Sequence, residues 1–139
     1  MGISNAHWSN KLIYLTFKSM NIEMNQAYPI LKAAAVIVLV DMFWLLTGGI
    51  YARKMTERIQ GSPLQMRWVA LPVVYFFLAY MLLQTTSNKQ AFMYGVSIYA
   101  VYDFTNYALF ENYDWKFAIA DSLWGGTLFV IARHLLKAF

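Results

Sequence analysis

The sequence predicts an all-α fold: an integral membrane four-helix bundle with a short N-terminal interfacial helix. Three observations carry that reading. Of the 139 residues, 60% are hydrophobic and only 13% are charged, against about 25% charged in an ordinary soluble domain. The apolar residues fall in blocks close to the roughly 20 residues a helix needs to cross a bilayer. Polar or turn-forming stretches separate the blocks, and Trp, Tyr and Lys stand at their edges, as at membrane interfaces.

The same composition excludes several classes. Cysteine is absent, which removes disulfides, thiolate nucleophiles and cysteine metal sites. The net charge of +4 is modest, and its Lys and Arg lie near segment ends, as suits anionic lipid headgroups. Nucleic-acid binding would need a basic face on a soluble surface. The partner expected is the lipid bilayer, in multi-pass form, and a homo-oligomer is compatible with it. No Gly-rich phosphate loop, His-x-x-x-His pair or Ser-His-Asp arrangement can be read.

Residues 1–28 mix Trp8, Leu12, Ile13, Leu15, Phe17 and Met20 with Asn10, Lys11, Lys18 and Asn21. They lack the continuous apolar core of a signal peptide and read as an interfacial helix or a tail. Residues 29–139 form the transmembrane domain. Its first span, 29–49, opens on Pro29, which suits a first helical turn, and closes on Gly48-Gly49. A polar connection with Arg53, Lys54, Glu57, Arg58 and Arg67 turns at Gly61-Ser62-Pro63. The second span covers 68–84, with Trp68 at the interface. The third covers 90–110 and the fourth 115–136, joined by the turn Glu111–Asp114. Lys and Arg are too evenly divided between the two sides to orient the bundle.

Three acids stand inside these spans: Asp41, Asp103 and Asp121. Each costs at least ~2.5 kcal/mol on insertion scales, so a partner or a task is expected. Counting from the nearest connection at ~1.5 Å per residue, all three lie roughly 10 Å below one membrane surface, which predicts that they converge. Thr105 and Asn106 are expected beside Asp103 as part of an ion or proton site, with Tyr99 and Tyr102 supporting it. Trp44 follows Asp41 by three residues and Trp124 follows Asp121 by three, so each acid has an indole donor on its face. Gly125 permits close helix approach, and Tyr75 reaches a similar depth.

Asp41-x-x-Trp44, Tyr51, Tyr102-Asp103-x-Thr105-Asn106 and Asp121-x-x-Trp124-Gly125 together resemble the predicted-membrane-protein family catalogued as domain of unknown function 2177. The resemblance runs from about Val36 to the C-terminus. It implies a four-helix membrane architecture and supplies no reaction. The N-terminal extension departs from the family pattern.

Like charges held close in low dielectric need compensation, and three readings stay open. The acids can form a proton or cation pathway, in a channel or transporter. Asp41, Asp103 and Asp121 can instead hold a divalent cation (Mg, Ca or Mn) for chemistry on lipid headgroups. Or they form a structural polar core. A lateral opening between helices, with a metal or headgroup at the cluster, would favour an enzyme working on lipids, and a second route toward the Lys32/His134 side would favour transport.

Overall fold

The computed structural model describes the backbone of residues 3–139 and the side chains of residues 10–20, 25 and 27–139. Within these residues the chain forms five helices: α1 (Ile3–Leu46), α2 (Gly48–Gln60), α3 (Ala70–Leu83), α4 (Asn88–Leu109) and α5 (Trp115–Ala138). The all-helical class stands, but the elements differ from expectation in three ways.

First, the N-terminal segment and the first apolar block are one helix of 44 residues, with Pro29 inside it rather than at its start. No glycine or proline interrupts residues 3–28, so nothing stops the helix there; at Pro29 only one backbone hydrogen bond is lost. Leu12, Ile13, Tyr14, Leu15, Phe17 and Met20 are all exposed on it, while the Trp8 side chain expected at the interface lies outside the described residues. Second, the expected polar connection contains a helix, α2. Its inward positions Ala52, Met55 and Ile59 recur at three- and four-residue spacing, with Arg53, Lys54 and Arg58 outward. Gly61 closes it in the left-handed region at φ 70°, donating its N–H to the Glu57 carbonyl at 3.0 Å.

Third, Ala27–Leu46 is the segment both long and apolar enough to cross a membrane, among the described residues. α3 is apolar but has 14 residues, about 21 Å at 1.5 Å per residue, short of the ~30 Å hydrocarbon core. α4 and α5, at 22 and 24 residues, have the length, but the polar groups they carry dilute their hydropathy.

α1 occupies the centre, with α3 on one side and α5 on the other, and α4 packs against α5. Ala33, Ile37 and Asp41 repeat every fourth residue and put one face of α1 inward. Leu78, Ala79, Leu82, Leu128, Phe129 and Ala132 complete a dry core around that face. The outer faces present Leu39, Phe43, Val73 and Val101, large apolar side chains in the positions that lipid would cover.

Glycine sets the α4–α5 distance. A Cβ at Gly125 would lie 2.7 Å from the Gly95 carbonyl oxygen, and one at Gly126 would lie 2.7 Å from Phe92 and Val96. Side chains do not pack that closely, so the crossing depends on hydrogen at these positions. The α3–α4 turn is clamped from α5: Arg133 donates to the Thr85 carbonyl at 3.1 Å and to that of Thr86. Asn88 meets His134 at 3.2 Å beside it.

Candidate functional site: three aspartates in a partly open cavity

Asp41, Asp103 and Asp121 are buried at 6%, 0% and 9% exposure. Each faces inward because its helix turns an apolar stripe the same way: Ile37 precedes Asp41 by one turn, and Gly125 follows Asp121 by one. They do not all do the same thing. Asp41 is held from two other helices, with one donor on each oxygen. Its Oδ2 accepts the Tyr75 hydroxyl from α3 at 2.9 Å, and its Oδ1 accepts the Trp124 indole N–H from α5 at 2.8 Å. The reciprocal donor, the Trp44 indole of α1, is directed at Asp121 of α5.

The two Asp-x-x-Trp elements are therefore exchanged. The Trp124 indole serves the acid of the other helix, Trp44 lies beside Asp121, and the indoles stack 5.4 Å apart at an interplanar angle of 10°. The expected donors are the right ones, but they reach across the helix interface instead of running along their own helix.

Asp103 and Asp121 form a close pair, their carboxyls within hydrogen-bonding reach of one another. Asp103 Oδ1 accepts the Tyr113 hydroxyl at 2.5 Å, while its Oδ2 is buried with no donor. Two carboxyl oxygens facing each other are both acceptors, and only a proton or a cation between them satisfies the contact. Among the described residues no three acidic or imidazole side chains gather into a metal-holding group. Of the three aspartates that the sequence offers to Mg, Ca or Mn, Asp103 and Asp121 make the close pair, and Asp41 stands beside them on its own two donors.

A cavity of about 180 Å³ lies against this cluster, between α1, α2, α4 and α5. Its wall carries Asp41 and Asp121 together with Trp44, Tyr99, Tyr102 and Tyr113. A second, more apolar cleft of about 380 Å³ lies between α3 and α4, walled by Val74, Leu78 and Ile98. Tyr99, Tyr102 and Asp121 border both spaces. Toward Lys32 and His134, the core around Ile37, Leu82, Leu128 and Phe129 fills the interior.

Thr105 does not join the site: it is exposed on the outer face of α4, beside Val101 and Phe104. Two residues after Asp103, it stands about 200° around the helix. Asn106 is half-buried one turn on, and among the described residues it makes no hydrogen bond to the acids. Gly125 contributes through backbone approach, as expected, with the Tyr99 ring seated on it.

Tyr113 and Met55 are the residues that sequence reasoning missed. Tyr113 belongs to the turn between α4 and α5, where a tyrosine ordinarily reads as an interfacial anchor. Burial first, then the Asp103 carboxylate, hold its hydroxyl above the usual tyrosine range, so it stays a donor. Met55 is buried on α2 with its sulfur 3.2 Å from the Asp114 backbone nitrogen, which seats α2 over the cavity. Its signal was the amphipathic spacing of α2. Tyr51 completes that attachment by donating to Asp114 Oδ2 at 2.5 Å and stacking on Phe117 at 5.8 Å.

Comparison with curated proteins and with solved structures gives no match. A family match is found: residues 27–135 fit the family described as "Predicted membrane protein (DUF2177)". That span covers all three aspartates, both indoles and every helix from the apolar part of α1 onward, and so the chain belongs to this family of predicted membrane proteins.

Proposed function

We propose that the chain crosses the bilayer four times, through Ala27–Leu46, α3, α4 and α5, and that Asp103 and Asp121 form an intramembrane site for a proton or another cation. One observation carries this reading. Asp103 Oδ2 is fully buried without a donor, and the carboxyl of Asp121 lies within hydrogen-bonding reach of Asp103. Asp41, by contrast, has a protein donor on each oxygen, Tyr75 and Trp124. The short α3 is accommodated by local thinning of the bilayer or by its flanking residues.

The site is entered from the α2 side. The packed core between Asp121 and His134 closes the other direction in this conformation, which favours a binding site or carrier over an open channel. The metal-dependent enzyme reading has no comparable support, because among the described residues no three acidic or imidazole side chains form a metal-holding group.

Flux into proteoliposomes containing a pH-sensitive dye tests the proposal, comparing wild type with Asp103→Asn. Asparagine nearly preserves volume and hydrogen bonding while removing the charge, and it is cheaper than an ionised aspartate within a membrane. Asp103→Asn is expected to melt at or above the wild-type temperature and to lose proton or cation uptake. Unchanged uptake with a lowered melting temperature would make the acids structural and end the proposal.

A further inference from the structure

We infer that the cation taken by this site is an organic ammonium group carried on an apolar chain, with its head in the aromatic cavity and its chain in the α3–α4 cleft. The inference deepens the cation-site reading and rests on it. The cavity of about 180 Å³ is far larger than a proton or a bare metal ion requires. Its wall combines the carboxyls of Asp41 and Asp121 with the rings of Trp44, Tyr99, Tyr102 and Phe117, and includes no Lys or Arg. Carboxylate plus aromatic faces is the environment that attracts an ammonium through ring quadrupoles as well as charge. Behind that wall, Asp103 Oδ2 remains buried and unpartnered.

The second observation is independent of charge. The cleft of about 380 Å³ begins at the same three residues, Asp121, Tyr99 and Tyr102, and continues between Val74, Leu78 and Ile98. α3 packs mainly on α1 and α4 mainly on α5, so this gap lies between two helices that hold each other weakly. A chain entering from lipid along it arrives with its head at Asp121. The absence of Lys and Arg from both walls selects against phosphate, so a long-chain amine fits and a phosphocholine lipid does not.

Binding to the full chain in neutral maltoside micelles tests this, read by the change in intrinsic tryptophan fluorescence and by thermal shift. The probes are dodecyltrimethylammonium, dodecanol, tetramethylammonium, sodium and phosphatidylcholine. Dodecyltrimethylammonium is expected to bind roughly tenfold or more tightly than either dodecanol or tetramethylammonium, the equivalent of about 1.4 kcal/mol from each half. Val74→Trp, a substitution at an exposed cleft position, should remove the chain's advantage while leaving tetramethylammonium binding intact. Asp121→Asn should remove the preference for ammonium over dodecanol.

Phosphatidylcholine competing as well as the amine overturns the assignment, as does dodecanol binding equally. If either occurs while Asp103→Asn still abolishes proton or sodium uptake, the ligand class fails and the cation site stands. If that uptake is also insensitive to Asp103→Asn, both fail.

Discussion

Asp103 is held by a single donor, and that donor comes from outside its own helix. The Tyr113 hydroxyl at 2.5 Å is the partner of Oδ1, so Tyr113→Phe leaves a fully buried carboxyl with no protein donor on either oxygen. The expected cost is about 1–3 kcal/mol, the range for stranding a buried polar group, read as a lower melting temperature in detergent. Asp103→Asn/Tyr113→Phe should cost less than the sum of the two single changes, because the stranded charge is gone. The three acids were legible in the sequence because an ionisable group in an apolar block is expensive and therefore conspicuous. Their partners were less so. Trp44 and Trp124 could be chosen by type, but spacing along one helix cannot reveal an exchange between two. Thr105 was read from its proximity in sequence to Asp103, and helical phase puts it outside. Tyr113 lies ten residues from Asp103 across a turn, and no periodicity links them.

At the scale of elements, the α4–α5 crossing and the seating of α2 decide whether the cavity exists. Gly125→Ala would drive a methyl into the Gly95 carbonyl and the Tyr99 ring. Overpacking of this kind costs about 1–3 kcal/mol. It should also push Tyr99 into the cavity, so ligand binding falls more than melting temperature does. α2 was foreseen as a loop because its charges and turn residues outweighed its amphipathic spacing. What fastens it is Tyr51 on Asp114. The Tyr51 hydroxyl, then the Lys116 backbone N–H, hold the Asp114 carboxyl below the usual carboxylate range, and Asp114 in turn raises Tyr51. A folded-state pKa below the unfolded one stabilises at pH above the ordinary carboxylate value and is lost as pH falls through the depressed one. The α2 attachment is therefore expected to hold at neutral and mildly acidic pH and to loosen below about 4, the ordinary Asp range. In Tyr51→Phe, which removes that hydrogen bond, the attachment should already be looser at neutral pH and its dependence on pH should flatten. Tryptophan-induced quenching of a fluorophore at position 54 would follow it.

For the whole molecule, the question is how many times the chain crosses the membrane. The chain belongs to a family of predicted membrane proteins, and Ala27–Leu46 is long and apolar enough to cross the bilayer. α3, α4 and α5 depart from the hydropathy of a simple span because α3 is short and because α4 and α5 carry the site and its glycines. The two turns on opposite ends provide the test. Thr85–Ser87, clamped by Arg133, and Glu111–Asp114, carrying Tyr113, lie at opposite ends of α4. Four crossings put Lys54 and Glu111 on one side of the bilayer, with Lys89 and Lys137 on the other. The chain contains no cysteine, so single cysteines at these positions can be labelled without background. In sealed, uniformly oriented vesicles an impermeant maleimide should label positions 54 and 111 together, or 89 and 137 together, and the remaining pair only after permeabilisation. Labelling of positions 89 and 111 from the same side would mean that α4 does not cross. Asp103 would then lie in an interfacial helix, where a carboxyl pair needs no compensating cation, and the intramembrane site would fall with the topology.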